Sequence, residues 1–175
     1  MAKLNPDDNL KHWDLYKTDP EKYLSLCNDI VRQHPENPDA YIGRHTAWKR
    51  VDRFDKALED LNKAIDLKPD DGLIFEARGE LLYQMGRVDE ALEDLDAAEE
   101  LNPTEWEEAF APIYRAQCHA ALGNLEAALS DCRRINPQHW TPGVHGMLKG
   151  GRAEITAQIT RIALDAANRR NATGS

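Results

Sequence analysis

The sequence predicts an all-α fold of stacked two-helix repeats, and three observations predict it. Residues 53–69 return 34 positions later as residues 87–103, with Ala57, Leu58, Leu61, Ala64, Leu67 and Pro69 answered by Ala91, Leu92, Leu95, Ala98, Leu101 and Pro103. A fixed period of this length marks a stacked helical array. The stretch before each copy repeats as well: Tyr41, Arg44 and Trp48 are answered by Phe75, Arg78 and Leu82, so the unit is a pair of helices. Proline then punctuates the chain on the same rhythm, at Pro35, Pro69 and Pro103.

Taken in order, residues 7–17 predict an eroded helix, and Thr18-Asp19-Pro20-Glu21 is a helix start with a capping residue before a first-turn proline. Tyr23, Leu24, Cys27, Ile30 and Val31 keep the spacing of a buried helical stripe up to Pro35. Asn37-Pro38-Asp39 opens the next helix, expected to reach about Val51, and a second helix is expected from about Asp55 to Leu67. The following pair spans about 71–102, with Gly86 as its left-handed turn. Gly86 to Gly123 and Ala91 to Ala128 are both 37 residues apart, so three residues have entered the third pair, after Pro103. Its second helix is expected at about 125–135. Residues 136–151 are rich in proline and glycine and read as a connection, in which Thr141-Pro142 could start a helix. Ile155, Ile159, Ile162, Ala163 and Ala166 then mark one apolar stripe on a last helix. An end repeat needs its apolar face covered, and this helix is expected to dock on Leu125, Leu129 and Cys132.

An aromatic opening one helix, Arg78-Gly79 inside it, Gly86 ending it, and then Ala91, Leu95, Ala98 and Pro103 resemble the tetratricopeptide repeat (TPR). The resemblance implies a right-handed superhelical solenoid of antiparallel helix pairs in a single domain over 1–175. Its parts are a degenerate repeat at 1–36, repeats at 37–70, 71–104 and 105–137, and a linker with a capping helix at 138–175. His45 departs from the pattern, because it stands where the family prefers glycine; it should widen the helix crossing or turn its ring outward.

In this family the first helix of each pair lines a concave face that receives an extended peptide or a partner helix. The resemblance therefore implies a peptide-binding groove of Ile42, Thr46, Lys49, Arg50, Leu73, Glu76, Glu80, Tyr83, Phe110, Ile113, Tyr114 and Gln117. Chaperone-binding members hold a terminal carboxylate with Lys, Asn and Arg side chains. Here Ile42, Thr46, Ala77, Phe110 and Tyr114 occupy those places, so a chaperone C-terminal tail of the carboxylate-clamp type is disfavoured.

The net charge of −9 argues against nucleic acid and anionic membrane surfaces as partners. No apolar run approaches a membrane span, and the first residues lack the apolar core of a signal peptide, so a cytoplasmic location is expected. Cys27, Cys118 and Cys132 have neither disulfide-framework nor zinc-ribbon spacing. His139 and His145 follow Cys132 but match no zinc pattern, so no metal is expected. No nucleophile elbow or phosphate loop is present, and neither catalytic residues nor a cofactor is expected. Residues 89–108 hold ten acidic and no basic residues, which reads as a solvated outer face.

Arg44 with Asp60, Arg78 with Asp94 and Arg115 with Asp131 recur sixteen residues apart. Each pair should join the two helices of its own repeat. Two functional classes follow. The first is a non-enzymatic module that binds a protein or peptide partner. The alternative is a self-assembling scaffold whose groove is filled by its own last helix or by a second copy, which allows a homo-oligomer.

Overall fold

The computed structural model describes residues 14–106, 110–138, 140–142 and 148–173. Its helices are α1 (Pro20–Gln33), α2 (Pro38–Arg50), α3 (Phe54–Leu67), α4 (Gly72–Gln84), α5 (Val88–Leu101), the single turn α6 (Pro103–Trp106), α7 (Ala111–Ala121), α8 (Leu125–Arg134) and α9 (Arg152–Thr173). The expected helix limits agree with these to within a few residues, except after Asn102, where Pro103 and Thr104 lie in α6. Of the expected eroded helix, residues 14–18 are helical, and residues 7–13 lie outside the described residues. So do His139, His145 and part of the expected insertion after Pro103.

Local chemistry accounts for the helix starts. Asp19 caps α1 by accepting from the Lys22 N–H at 3.1 Å, Asn37 caps α2 from Asp39 at 3.0 Å, and Asp71 caps α4 from Leu73 at 3.1 Å. The hairpin turns before α3, α5 and α8 place Asp52, Gly86 and Gly123 at φ of 57°, 77° and 72°. Glycine adopts this left-handed region without a steric penalty, and aspartate is among the few other residues that visit it.

The chain divides into two compact units, residues 1–70 and 71–175. In the first, α2 packs on both α1 and α3. Leu24, Cys27 and Ala47 form its buried centre, with Tyr23, Trp48 and Val51 packed against them. His45 neither turns outward nor reaches solvent. It is buried, and its Nδ1 lies 2.5 Å from the Ile42 carbonyl, so the ring folds back along its own helix.

In the second unit α4 pairs with α5 and α7 with α8, while α7 also packs on α4 and α5. The crossing of α4 on α5 is close at Gly79, where an added Cβ would stand 2.8 Å from Leu95 Cγ. The last helix differs from its expected seat, because α9 packs on α7 as well as on α8. Ile155, Ile159, Ala163 and Ala166 are buried beneath it, whereas Ile162 is half-buried. The stripe therefore runs through the alanines, which let the backbones approach: Gly123 sits so near Ala167 that an added Cβ would be 3.4 Å from its nitrogen.

Two short strands interrupt the helical pattern. Trp140–Pro142 (β1) pairs antiparallel with Lys149–Gly151 (β2), Thr141 opposite Gly150. Thr141 therefore starts no helix. Its buried hydroxyl donates to the Leu148 carbonyl at 2.5 Å, which fixes the segment as extended chain.

Candidate protein-interaction site

The three Arg/Asp pairs fasten each helix pair from within. Arg44 grips Asp60 through Nη2 at 2.6 Å and Nε at 2.8 Å, Arg78 grips Asp94 at 2.7 Å through both nitrogens, and Arg115 reaches Asp131 at 2.7 Å. The aspartate side chains keep only 5–7% of their exposure, so the planar fork of the arginine takes the place of water around them. Hydrogen bonding to Asp60 holds the Arg44 guanidinium even more firmly protonated than usual. Arg115 is the hub of a larger network. It also bonds Asp96 at 2.9 Å and Glu99, and Glu99 in turn is bonded by Arg134. Residues 89–108 are thus not wholly a solvated face, since Asp96 and Glu99 tie α5 to α7.

The candidate groove residues fall in both units. In the first, Ile42, Thr46 and Lys49 are half-buried on α2 and Arg50 is exposed. The Arg50 guanidinium lies 5.8 Å from the centre of the Tyr16 ring, within cation–π reach. Ile42 offers its carbonyl to the Thr46 hydroxyl at 3.3 Å.

In the second unit the facing sides of α4 and α7 form a polar seam with three rungs. The Glu76 carboxylate accepts from the Ala111 N–H, at the first turn of α7. One turn along α4, the Tyr114 hydroxyl bonds Glu80, which also accepts from Gln84 Nε2 at 2.9 Å. Beyond that, Gln117 Nε2 donates to the Tyr83 hydroxyl at 2.9 Å, and the Tyr83 and Tyr114 rings meet with centroids 6.2 Å apart. Burial, reinforced by the neighbouring Glu80 charge, pushes Glu76 up to about 7 against the pull of its Ala111 hydrogen bond. Burial likewise raises Tyr83 and Tyr114.

Ile113, Tyr114 and Gln117 were expected to face an open groove and are instead buried, at 1%, 2% and 1% exposure. Tyr83 and Glu80 of α4 cover Tyr114, and chain that follows later in the sequence engages Gln117. The Leu148 N–H donates to Gln117 Oε1 at 3.2 Å, so both ends of that carboxamide are used within the fold, and α9 packs on α7 as well. What stays open is the other end of the seam, where Leu73 is 52% and Phe110 40% exposed. Leu148 has no counterpart in the repeat pattern, so no signal in the sequence identified it as a partner of Gln117.

Among the described residues no group of His, Cys, Asp or Glu is placed to hold a metal ion. The three cysteines are buried free thiols, and burial pushes Cys118 up to about 12, which removes thiolate reactivity at neutral pH.

Residues 49–105, covering the α3–α4–α5 run and the turns that join it, match the family model described as tetratricopeptide repeat. Residues 49–105 carry the tetratricopeptide pattern. Comparison with curated proteins gives no match. Solved structures share the helical-repeat fold over most of the chain. PilW, a widely conserved type IV pilus biogenesis factor, matches with a TM-score of 0.65 at 24% identity, over 75% of this chain and 61% of its own. A thermophilic TPR protein of Thermus thermophilus matches with a TM-score of 0.61 at 18% identity, over 83% and 73%. YrrB, a TPR protein with an unusual peptide-binding site, matches with a TM-score of 0.60 at 21% identity, over 89% and 82%. This chain therefore spans less than two thirds of the PilW chain, and at these identities the likeness is one of fold. Tetratricopeptide folds generally mediate protein–protein interactions. No described helix is long and apolar enough to cross a membrane.

Proposed function

We propose that the chain is a non-enzymatic, cytoplasmic interaction module that receives a protein or peptide segment on the inner helices of its repeats. The observation that carries this reading is the exposure of Leu73 and Phe110 beside a seam whose other side chains are already engaged. Folding consumes Ile113, Tyr114 and Gln117, yet leaves two large apolar side chains in water at the same edge. Apolar surface gathered beside ordered polar groups is how recognition sites differ from an ordinary solvated face. On α2 the corresponding side, with Ile42, Thr46, Lys49 and Arg50, is proposed as a second contact surface. The acidic balance disfavours nucleic acid, and the clamp positions disfavour a chaperone tail.

Cross-linking of the purified natural complex tests the proposal. Cross-links should concentrate on α4 and the start of α7, and Leu73→Ser with Phe110→Ser should release the partner while leaving helicity intact. Cross-links confined to the outer side of α5, with binding undisturbed by the two substitutions, would discard this face.

One observation favours the second reading, a self-contained assembly unit. Leu148 bonds Gln117 through its backbone N–H, so the chain already supplies part of its own occupant. Light scattering after chromatography separates the two readings. A stable oligomer that dissociates on Leu73→Ser would mean that a second copy takes the remaining edge.

A further inference from the structure

Resting on the interaction reading above, we propose that the α4–α7 edge selects a partner segment carrying a lysine or arginine beside a large apolar residue. The apolar residue packs on Leu73 and Phe110, and the cation sits on Glu76 and Glu80.

The argument begins with spacing. Leu73, Glu76 and Glu80 stand three and four residues apart on α4, so they form one stripe along the helix. The hydrogen bond from Ala111 to Glu76 brings the start of α7, and with it Phe110, to the same end of that stripe. The two exposed apolar side chains and the two carboxylates therefore form one edge rather than scattered features. Both carboxylates are held in place before any partner arrives, Glu76 by Ala111 and Glu80 by Tyr114 and Gln84. Ordered acceptors of this kind bind a cation with little further loss of side-chain freedom.

Electrostatics fixes the sign of the partner. Two half-buried carboxylates on one helix face repel each other, and Glu80 raises the proton affinity of Glu76. An arriving ammonium or guanidinium relieves that repulsion, whereas an acidic or purely apolar segment leaves it in place or worsens it. The net charge of −9 adds long-range attraction for a basic segment. The cation alone is insufficient, because a lysine-rich stretch without an apolar anchor would bind the many surface carboxylates equally well.

The test is selection of short randomised peptides on the full chain at neutral pH and low salt. Enriched peptides should pair Lys or Arg with Leu, Phe or Trp. Replacing the basic residue with norleucine should weaken binding about tenfold or more, as should Glu76→Gln, a change that keeps the side-chain shape. Melting curves for each variant check that folding is retained, and the norleucine peptide leaves the protein untouched. Binders that lack a basic residue, ignore Glu76→Gln and are lost on Leu73→Ser would overturn the proposal while sparing the interaction reading. Binders indifferent to both Leu73→Ser and Glu76→Gln would overturn both.

Discussion

Arg115 and Arg44 occupy equivalent places in their repeats, yet their surroundings differ. The Arg115 side chain retains 10% exposure against 21% for Arg44, and it serves Asp96 and Glu99 in addition to Asp131. Arg115→Met strands several carboxylates at a helix junction and should cost about 3–5 kcal/mol, as loss of one partner from a buried pair does. Arg44→Met should cost less, because water can reach Asp60 in its place; urea unfolding of the two variants gives the comparison. Glu76 supplies a second expectation. Its value rises from 4.5 to about 7 on folding, so the folded chain holds this proton more tightly. That contribution is fully present below pH 4.5 and is lost as pH rises through 7. The parent should therefore lose roughly 1–3 kcal/mol from this group between pH 5 and pH 8, and Glu76→Gln should flatten that part of the profile. The sixteen-residue recurrence made the three ion pairs legible in the sequence. The extra partners of Arg115 were not, since they come from a neighbouring repeat and from residues that resemble an exposed acidic run.

Helix crossings convert these local differences into packing. A Cβ at Gly79 would stand 2.8 Å from Leu95 Cγ, whereas one at Gly43 meets nothing within 4 Å. Gly79→Leu should overpack the α4–α5 crossing and cost about 1–3 kcal/mol. Gly43→Ala should instead add about 0.5–1 kcal/mol, the ordinary gain of alanine over glycine inside a helix. Thermal melts read both, and a neutral Gly79→Leu would count against the alignment of the repeats. The same logic applies to α9, whose buried Ile155 and Ile159 cover α7 and α8. Deleting residues 152–175 should uncover that apolar face and produce self-association on size-exclusion chromatography. A truncated chain that eluted as before and melted at the same temperature would make α9 an appendage. Helix limits were legible because proline, glycine and capping side chains act locally. The seat of α9 was only partly so: its isoleucines announce an apolar stripe, but the choice between α8 alone and α7 with α8 depends on where small residues such as Ala163, Ala166 and Ala167 let backbones approach.

Across the whole molecule, the fold was readable wherever the chain copies itself and unreadable where it departs from the copy. A period of 34 residues fixes helix order, pairing and turns without any knowledge of distant contacts. The pairing of Trp140–Pro142 with Lys149–Gly151 has three-residue strands and no alternation to betray it. Its effect on the site is large, because Leu148 engages Gln117 from 31 residues away and closes an edge that the repeat pattern leaves open. The recurrence also has a handedness. Asp52, Gly86 and Gly123 turn the chain through the same left-handed region at three successive hairpins, with φ of 57°, 77° and 72°. That region is the mirror image of the one L-amino acids prefer, so at these turns the backbone favours the opposite chirality. A semisynthetic chain with D-alanine at position 86 should gain about 0.4–1 kcal/mol over glycine, because its unfolded state loses freedom and its folded state loses nothing. L-alanine at the same position should cost about 1–2 kcal/mol, the penalty of the left-handed conformation. Two chains of identical composition would then differ in melting temperature through the configuration of one carbon atom.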